Sequence, residues 1–240
     1  MTVFLVGAGP GDPGLVTVRG LELIRRCDVL VYDVLVAPEL VEEAPDDALV
    51  IPRERLRQAE LNELLVDLGH SGLDVVRLKG GDPFIFGRGG EEAEALVEAG
   101  IAYEVVPGVS ALSAVPASAG IPVTHRGISA QVTVVSGHSA SGEGLDYGQL
   151  AGTPGTLVVF MGLAHLSGIA GGLIDAGKDR STPAAVVARG THPDGRSVDG
   201  ELCDIARLAA DLPSPALLVV GDVVGFAPRL ARREPRTAAF

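Results

Sequence analysis

Residues 77–92 read RLKGGDPFIFGRGGEE and join a predicted strand to a predicted helix. The apolar run that leads into it, Asp74–Leu78, predicts a buried strand, and Glu91–Ala99 predicts a helix that begins with acidic residues. The loop between them is rich in glycine, and its Phe84-Ile85-Phe86 segment places apolar side chains where a loop is normally solvated. A strand that runs through a glycine-rich loop into a helix is where open α/β sheets bind ligands.

The same alternation of strands and helices continues along the chain. Further strands are predicted at Val3–Val6, Asp28–Asp33, Ala48–Ile51, Tyr103–Val106, Gln131–Ser136, Thr156–Met161, Ala184–Ala188 and Ala216–Gly221. Helices are predicted at Thr17–Arg26, Gln58–Leu68, Ser110–Gly120, His165–Ala176 and Leu202–Asp211. In the first half of the chain, up to Tyr103–Val106, apolar strands separated by helices predict a parallel sheet that is covered on both faces. The predicted fold class is α/β, with two lobes and a cleft between them.

Pro107-Gly108 is the predicted boundary between the lobes. We expect an N-terminal α/β lobe with a largely parallel sheet over 1–108 and a C-terminal α/β lobe over 109–230. A flexible tail is predicted over 231–240, where the sequence is charged and contains proline.

Composition excludes several classes of function. The 240 residues include 31 acidic and 19 basic side chains, for a net charge of −12, which argues against binding to nucleic acid or to an anionic membrane. No apolar run is long enough for a transmembrane helix, and the N-terminus lacks the basic start of a signal peptide. The two cysteines, Cys27 and Cys203, fit a reducing compartment. We therefore expect a cytoplasmic protein.

The first loop, GAGPGDP over 7–13, also lies between a strand and a helix. Glycines there let a ligand approach the backbone, and helix N–H groups favour anions. Pro10 and Pro13 depart from the dinucleotide signature GxGxxG, which makes a nicotinamide dehydrogenase improbable. Taken alone, the loop is equally consistent with an ordinary strand-to-helix turn. The apolar segment 84–86 likewise predicts either one wall of a pocket for a flat ligand or a hydrophobic plug between lobes.

Together these loops resemble those of the uroporphyrinogen-III C-methyltransferase family, within the tetrapyrrole methyltransferase superfamily. Further matching motifs are VPGVSA at 106–111, GIPVTHR at 120–126, SGH at 136–138, VFMG at 159–162 and PALLVVGDVV at 215–224. The resemblance covers residues 1–226. It implies that S-adenosylmethionine lies in the cleft between two α/β lobes, with S-adenosylhomocysteine as product, and that the protein is a homodimer. No metal is implied.

The resemblance also implies a set of cofactor-binding residues. These are Pro10, Gly80, Gly81, Asp82, Ile85, Ser110, Ala111, Phe160, Met161, Gly190 and Ala216. The glycines and Ala111 would present backbone to the cofactor, Asp82 would offer a carboxylate to ribose hydroxyls or to the ammonium group, and Met161 would give an apolar surface to the adenine.

Asp33 is the catalytic candidate. An aspartate at a strand end is most often a loop cap, but the resemblance implies a proton acceptor beside the substrate. The implied substrate is a polycarboxylate, and its candidate binding residues are Arg53, Phe86, Arg88 and Arg126, because guanidinium groups bind carboxylates in a bidentate manner. Lys79 is a further candidate, although Lys79 and Arg88 could instead pair with Asp82 or Glu91.

The sequence departs from the family pattern at three places. Val34 stands where an arginine is usual, and Phe160 where a tyrosine is usual. The loop at 52–58 is shortened, so the usual lysine proton donor corresponds at best to Arg53, which cannot donate a proton near neutral pH. Arg53, Arg55 and Arg57 either replace the missing cations or lie on a solvated turn.

The implied reaction is methylation of uroporphyrinogen III at two ring carbons to give precorrin-2, for sirohaem or cobalamin biosynthesis. The altered substrate loop leaves two alternatives open: methylation of a later corrinoid precursor, and a low-turnover protein that binds the tetrapyrrole or the cofactor. Because the first strand begins at Val3, we expect no additional N-terminal module.

Overall fold

The computed structural model describes residues 2–138 and 144–230. The predicted tail at 231–240 therefore lies outside the described residues. The chain divides into two compact units, Met1–Ala111 and a second that begins at Leu112. This division falls three residues after the boundary predicted at Gly108.

The first unit is built on a sheet of five parallel strands in the order β3-β2-β4-β1-β5. The strands are β1 (Val3–Gly7), β2 (Val29–Tyr32), β3 (Leu49–Pro52), β4 (Val75–Lys79) and β5 (Tyr103–Val106). The helices are α1 (Val18–Ile24), α2 (Pro38–Val41), α3 (Gln58–His70) and α4 (Gly89–Glu98), with a 3₁₀ turn at Pro13–Leu15.

Alternate residues of these strands enter two separate cores, one on each face of the sheet. Val6, Leu30 and Leu78 pack with Leu23 and Ile24 of α1. On the opposite face the packing residues are Val3, Leu5, Val29, Val31 and Val75 from the strands, Leu61 and Leu65 from α3, and Leu96 from α4. Burial on both faces explains why the central strands β1 and β2 are apolar, since each leucine removed from water stabilises the fold by about 2 kcal/mol.

The second unit contains a mixed sheet in the order β6-β7-β10-β8-β9. Its strands are β6 (Val132–Ser136), β7 (Thr156–Phe160), β8 (Pro183–Ala188), β9 (Arg196–Glu201) and β10 (Ala216–Val220). Within this sheet, as far as the structure describes it, only β6 and β7 pair in parallel. The β7–β10, β10–β8 and β8–β9 pairs are antiparallel. The helices are α5 (Ala111–Ser118), which begins at the division, α6 (Tyr147–Gly152), α7 (Leu166–Asp175), α8 (Ile205–Leu208) and α9 (Asp222–Leu230), with a 3₁₀ turn at Leu163–His165.

Helix α7 supplies much of the second unit's core. Its Leu166, Ile169 and Leu173 pack on Val159 of β7 and Val186 of β8. Within the described ranges, no helix is long and apolar enough to cross a membrane.

Candidate functional site

The carboxyl ends of the parallel strands carry the predicted site residues of the first unit. Gly80 follows β4, Asp33 follows β2, Arg53 follows β3, and Ser110 lies just after β5. Backbone hydrogen bonds fix their order: the Asp33 amide donates to Leu78 O at 3.1 Å, and the Arg53 amide donates to Tyr32 O at 3.0 Å. Parallel topology therefore brings residues from four distant parts of the sequence to one edge of the sheet.

Three glycines from different loops meet backbone to backbone at this edge. A Cβ on Gly7 would lie 2.5 Å from the Gly108 Cα, and a Cβ on Gly108 would overlap the Gly81 carbonyl oxygen. Gly9 and Gly81 exchange backbone hydrogen bonds of 2.7 and 3.2 Å, and both have positive φ. Glycine is required at positions 7 and 108 because no side chain fits there, and at Gly81 because its φ is positive.

Asp82 ties two of these loops together. Its Oδ1 accepts from the Phe84 amide at 2.9 Å, and its Oδ2 accepts from the Gly108 amide at 3.0 Å. Each oxygen of the carboxylate that was expected to face the cofactor thus already holds a backbone donor. The Phe84-Ile85-Phe86 segment that Asp82 anchors exposes all three apolar side chains, which marks a binding surface more often than a structural one.

A buried network of charged side chains contacts Asp33. The side chains of Arg77, Lys79 and Glu92 are at most 1% exposed. Arg77 Nη2 donates a short hydrogen bond to Asp33 Oδ1 and lies 3.3 Å from Glu92 Oε1, to which Lys79 Nζ donates at 2.7 Å. The Asp33 side chain is therefore held by an arginine instead of capping its loop.

Lys79 is not available to a substrate, because it is enclosed by this network. Its ion pair is with Glu92, and not with Asp82 or Glu91 as the sequence suggested. Burial lowers the pKa of Lys79, the neighbouring Arg77 charge lowers it further, and Glu92 opposes both effects.

The arginine candidates differ in their surroundings. Arg53 lies 4.0 Å from Asp33 Oδ1 and donates to Gln58 Oε1 at 3.2 Å, so it contributes a second cation beside the carboxylate. Arg88 forms a bidentate pair with Glu91, at 2.8 and 2.7 Å, which is one of the partners foreseen from the sequence. This pair lowers the pKa of Glu91, chiefly through the hydrogen bond from Arg88.

Two further arginines considered in the sequence analysis, Arg57 and Arg126, are exposed. Arg57 pairs with Glu60 at the start of α3, with Nη2–Oε1 at 2.6 Å, so it serves that helix. Arg126 lies in the second unit, on the tight turn His125–Ser129, and forms no ion pair within the described residues. The His125 ring contacts Phe226 of α9 with a centroid separation of 4.3 Å, which fixes one end of that turn.

A pocket of about 370 Å³ lies beside Asp33, at the carboxyl ends of β2 and β3. It is lined by Tyr32, Val34, Val36, Pro38, Val41, Glu42, Pro52 and Glu54. Val34 is one of these residues, so the wall is apolar at this position, although Glu42 and Glu54 also line the pocket.

In the second unit, the predicted cofactor residues gather at one end of the mixed sheet. Phe160 ends β7 and Met161 follows it, Gly190 lies just after β8, and Ala216 begins the antiparallel strand β10 between them. The register pairs Phe160 with Leu217 and Ala216 with Ala188. A Cβ on Gly190 would lie 2.7 Å from the Val115 Cγ1 of α5, so this glycine also marks a close contact.

Backbone strain occurs at the predicted functional positions of both units. The described non-glycine residues with φ between 49° and 73° are Phe86, Arg88, Met161, Arg189 and Thr191. Three of them are predicted site residues, and the other two flank Gly190. Such conformations cost about 1–3 kcal/mol each and are typical of ligand-binding segments.

Sequence reasoning missed Arg77 and Glu92. The signal was present, because Arg77 and Lys79 interrupt a strand that is otherwise apolar, and buried cations require a buried anion. That anion is Glu92, which lies in the first turn of α4 and belongs to the same motif.

Comparison with known proteins identifies the family. The model of the tetrapyrrole (corrin/porphyrin) methylases matches residues 2–206. The chain belongs to this family, and the predicted α/β fold class and the resemblance are confirmed.

Among individual relatives, the chain is 46% identical over 244 residues to siroheme synthase 1 of Yersinia enterocolitica, covering 98% of this chain and 52% of that protein. It thus spans about half the length of the curated relatives it matches. It is 38% identical, with a TM-score of 0.84, to the Thermus thermophilus uroporphyrin-III C-methyltransferase solved with S-adenyl homocysteine, covering 94% of this chain and 100% of that one. Cobalt precorrin-4 methyltransferase gives a TM-score of 0.85 at 28% identity, over 93% of this chain and 95% of that one.

Proposed function

We propose that this chain transfers methyl groups from S-adenosylmethionine to two ring carbons of uroporphyrinogen III, giving precorrin-2. The observation that carries the proposal is Asp33, held by Arg77 at the same sheet edge as the glycine-rich motif at 80–90. The Thermus relative, which matches over its whole length and was solved with S-adenyl homocysteine, supports the same reaction and cofactor.

The residues present fit this cofactor. A Cβ on Gly81 would meet only the Ala111 amide nitrogen, at 3.9 Å, so the space over this backbone is open to a ligand that any other residue would obstruct. Ile85 of the first unit is 39% exposed and Met161 of the second unit is 50% exposed, so each unit presents an apolar side chain of the kind that contacts an adenine ring. In the proposed site, Gly80, Gly81, Ser110 and Ala111 bind through the backbone, and Asp82 holds their loops together.

When bound, S-adenosylmethionine supplies a methyl group that is already activated, so the chain has to position the ring and accept a proton. As the ring carbon forms its bond to the methyl group, positive charge develops on the pyrrole. The Asp33 carboxylate, fixed by Arg77, stabilises this charge and takes the proton that the cationic ring system loses from another position, because the methylated carbon itself carries no hydrogen.

Arg53, Arg88 and Arg126 are the proposed partners of the substrate carboxylates, and Phe86 is a proposed apolar contact. Arg53 is the best placed, because it lies 4.0 Å from Asp33 and is partly exposed. Arg53 cannot donate a proton near neutral pH, so in this proposal it binds a carboxylate and leaves proton donation to water.

A second candidate substrate is a later corrinoid precursor. The similarity to cobalt precorrin-4 methyltransferase and the apolar pocket wall at Val34 favour it. The two candidates are separated by offering the protein both substrates and comparing kcat/KM.

The deciding experiment incubates the purified chain with S-adenosylmethionine and enzymatically generated uroporphyrinogen III. We expect the absorbance and mass of a dimethylated product, and we expect Asp33→Ala to lower kcat at least a hundredfold. Asp47→Ala, which removes an exposed carboxylate from the same unit, serves as the control and should leave kcat unchanged. Absence of any methylated tetrapyrrole while S-adenosylmethionine still binds would overturn the assignment.

We further propose that the protein is a cytoplasmic homodimer and feeds sirohaem or cobalamin biosynthesis. The free thiols of Cys27 and Cys203 support a reducing compartment. The resemblance to the family supports the homodimer.

A further inference from the structure

Arg77 has two anionic partners, Asp33 and Glu92, and it lies closer to Asp33. Its Nη2 makes a short hydrogen bond to Asp33 Oδ1 but stands 3.3 Å from Glu92 Oε1. Glu92 also accepts from Lys79 Nζ at 2.7 Å and from Gln58 Nε2 at 3.3 Å. The charge of the Glu92 carboxylate is therefore neutralised by Lys79 and does not require Arg77.

We propose that Lys79 is a positioning residue: it neutralises Glu92, the anion that competes for Arg77, and this leaves Arg77 directed at Asp33. The inference rests on the proposed function, in which Asp33 acts on the substrate ring. Neither Lys79 nor Glu92 touches ligand in this proposal, because both side chains are buried.

The cost of the network supports a role beyond stability. Glu92 Oε2 and Arg77 Nε are buried without a hydrogen bond among the described residues. Buried ion pairs are often no more stable than apolar residues of similar volume, and unsatisfied atoms add a further penalty. Four charged groups in this arrangement are therefore better explained by the orientation they impose on Asp33.

The geometry makes a definite prediction about removing Lys79. In Lys79→Met, Glu92 loses its closest cation and attracts the Arg77 guanidinium away from Asp33. We expect kcat to fall about tenfold, with unchanged affinity for S-adenosylhomocysteine in calorimetric titration. Adding Glu92→Gln removes the competing charge, so kcat of the double variant should recover at least about threefold over Lys79→Met.

Two matched controls isolate the network from general effects of charge removal. Lys178→Met changes the chain's other lysine, whose Nζ lies 3.4 Å from Thr153 O in the second unit. Glu94→Gln removes an exposed carboxylate from the same helix as Glu92. Both controls should retain wild-type kcat.

Independent losses of kcat that multiply in the double variant, or no loss in Lys79→Met, would overturn the proposal. If Lys79→Met does not fold, Glu92→Gln carries the test: kcat within about threefold of wild type supports the proposal, and a tenfold loss overturns it.

A crystal structure separates this proposal from the proposed function. Wild-type protein that methylates no uroporphyrinogen III contradicts the function alone. In that case a crystal structure of Lys79→Met, or of Glu92→Gln if Lys79→Met does not fold, still tests whether Lys79 directs Arg77 to Asp33. Arg77 should move from Asp33 to Glu92 in Lys79→Met and should stay on Asp33 in Glu92→Gln; the opposite placement in either structure overturns the proposal.

Discussion

At the scale of single residues, the contact among Gly7, Gly81 and Gly108 has the most restricted geometry. In Gly108→Ala the new methyl group would overlap the Gly81 carbonyl oxygen and stand 2.7 Å from the Gly7 Cα, so two loops would have to separate. We expect the free energy of unfolding to fall by about 3 kcal/mol, measured by urea denaturation.

Gly90→Ala is the matched control, because a Cβ there would meet nothing within 4 Å and the residue lies in α4. Alanine is the better helix former by about 1 kcal/mol, so this variant should be at least as stable as wild type. Equal destabilisation by the two substitutions would show that the glycine contact is not what restricts position 108.

The two thiols should differ in reactivity. Cys27 is 3% exposed, and burial raises the pKa of its thiol to about 11, so at pH 8 only about one molecule in a thousand carries the reactive thiolate there. Titration of the native protein with Ellman's reagent at pH 8 should report one fast thiol, Cys203, and a second only after unfolding. Rapid modification of two native thiols would contradict the burial of Cys27.

At the scale of elements, helix α1 depends on its cap. The Thr17 hydroxyl accepts from the Gly20 amide at 3.0 Å, satisfying a donor that the helix itself leaves free. Thr17→Ala should lower the free energy of unfolding by about 1 kcal/mol, whereas Thr17→Ser keeps the hydroxyl and should cost little. Both values are measurable by thermal denaturation, and an equal loss in the two variants would exclude capping as the cause.

The strands and helices were predicted correctly where the burial of side chains produces a regular hydrophobic pattern in the sequence. Each predicted strand is present within the described residues, because central strands need apolar side chains on both faces. Strand β9 escaped prediction, since its edge position leaves residues such as Arg196 and Glu201 exposed and polar. Helix α9 escaped as well, because Gly225 and Pro228 interrupt its pattern.

The same distinction applies to the site. The glycine motif could be found from the sequence because a loop's backbone requirements fix particular residue types, whereas Asp33 became a candidate only through the resemblance to the family. Arg77 and Glu92 could not be paired in this way, since their contact spans a strand and a helix and depends on how the two pack. Periodicity indicates that a residue is buried, but it does not identify the partner of a buried charge.

For the molecule as a whole, the net negative charge opposes the formation of a dimer. A chain of net charge −12 repels its own copies, so any stable dimer has to bury apolar surface that compensates. Light scattering after gel filtration should give twice the 24.6 kDa chain mass, and the dimer should persist or tighten at high salt as repulsion is screened. A single-chain mass at micromolar concentration would contradict the proposed homodimer.

The same charge limits how a polycarboxylate can be bound. The chain has only two lysines: Lys79 is enclosed by its own ion pair, and Lys178 Nζ lies 3.4 Å from the Thr153 carbonyl oxygen. In the proposed function the carboxylates of the substrate are therefore bound by arginine. Arginine keeps its charge at every accessible pH, which makes substrate binding insensitive to pH on the protein's side.

The strained backbone at Phe86, Arg88, Met161, Arg189 and Thr191 has a consequence for protein engineering. A stability optimiser blind to chemistry would place glycine at each of these positions and gain up to about 1 kcal/mol per site. Heat tolerance would then be obtained at the expense of turnover, because three of these side chains, Phe86, Arg88 and Met161, are proposed to face substrate or cofactor. Selecting variants for thermostability alone is therefore a way to lose this enzyme's chemistry while improving its fold.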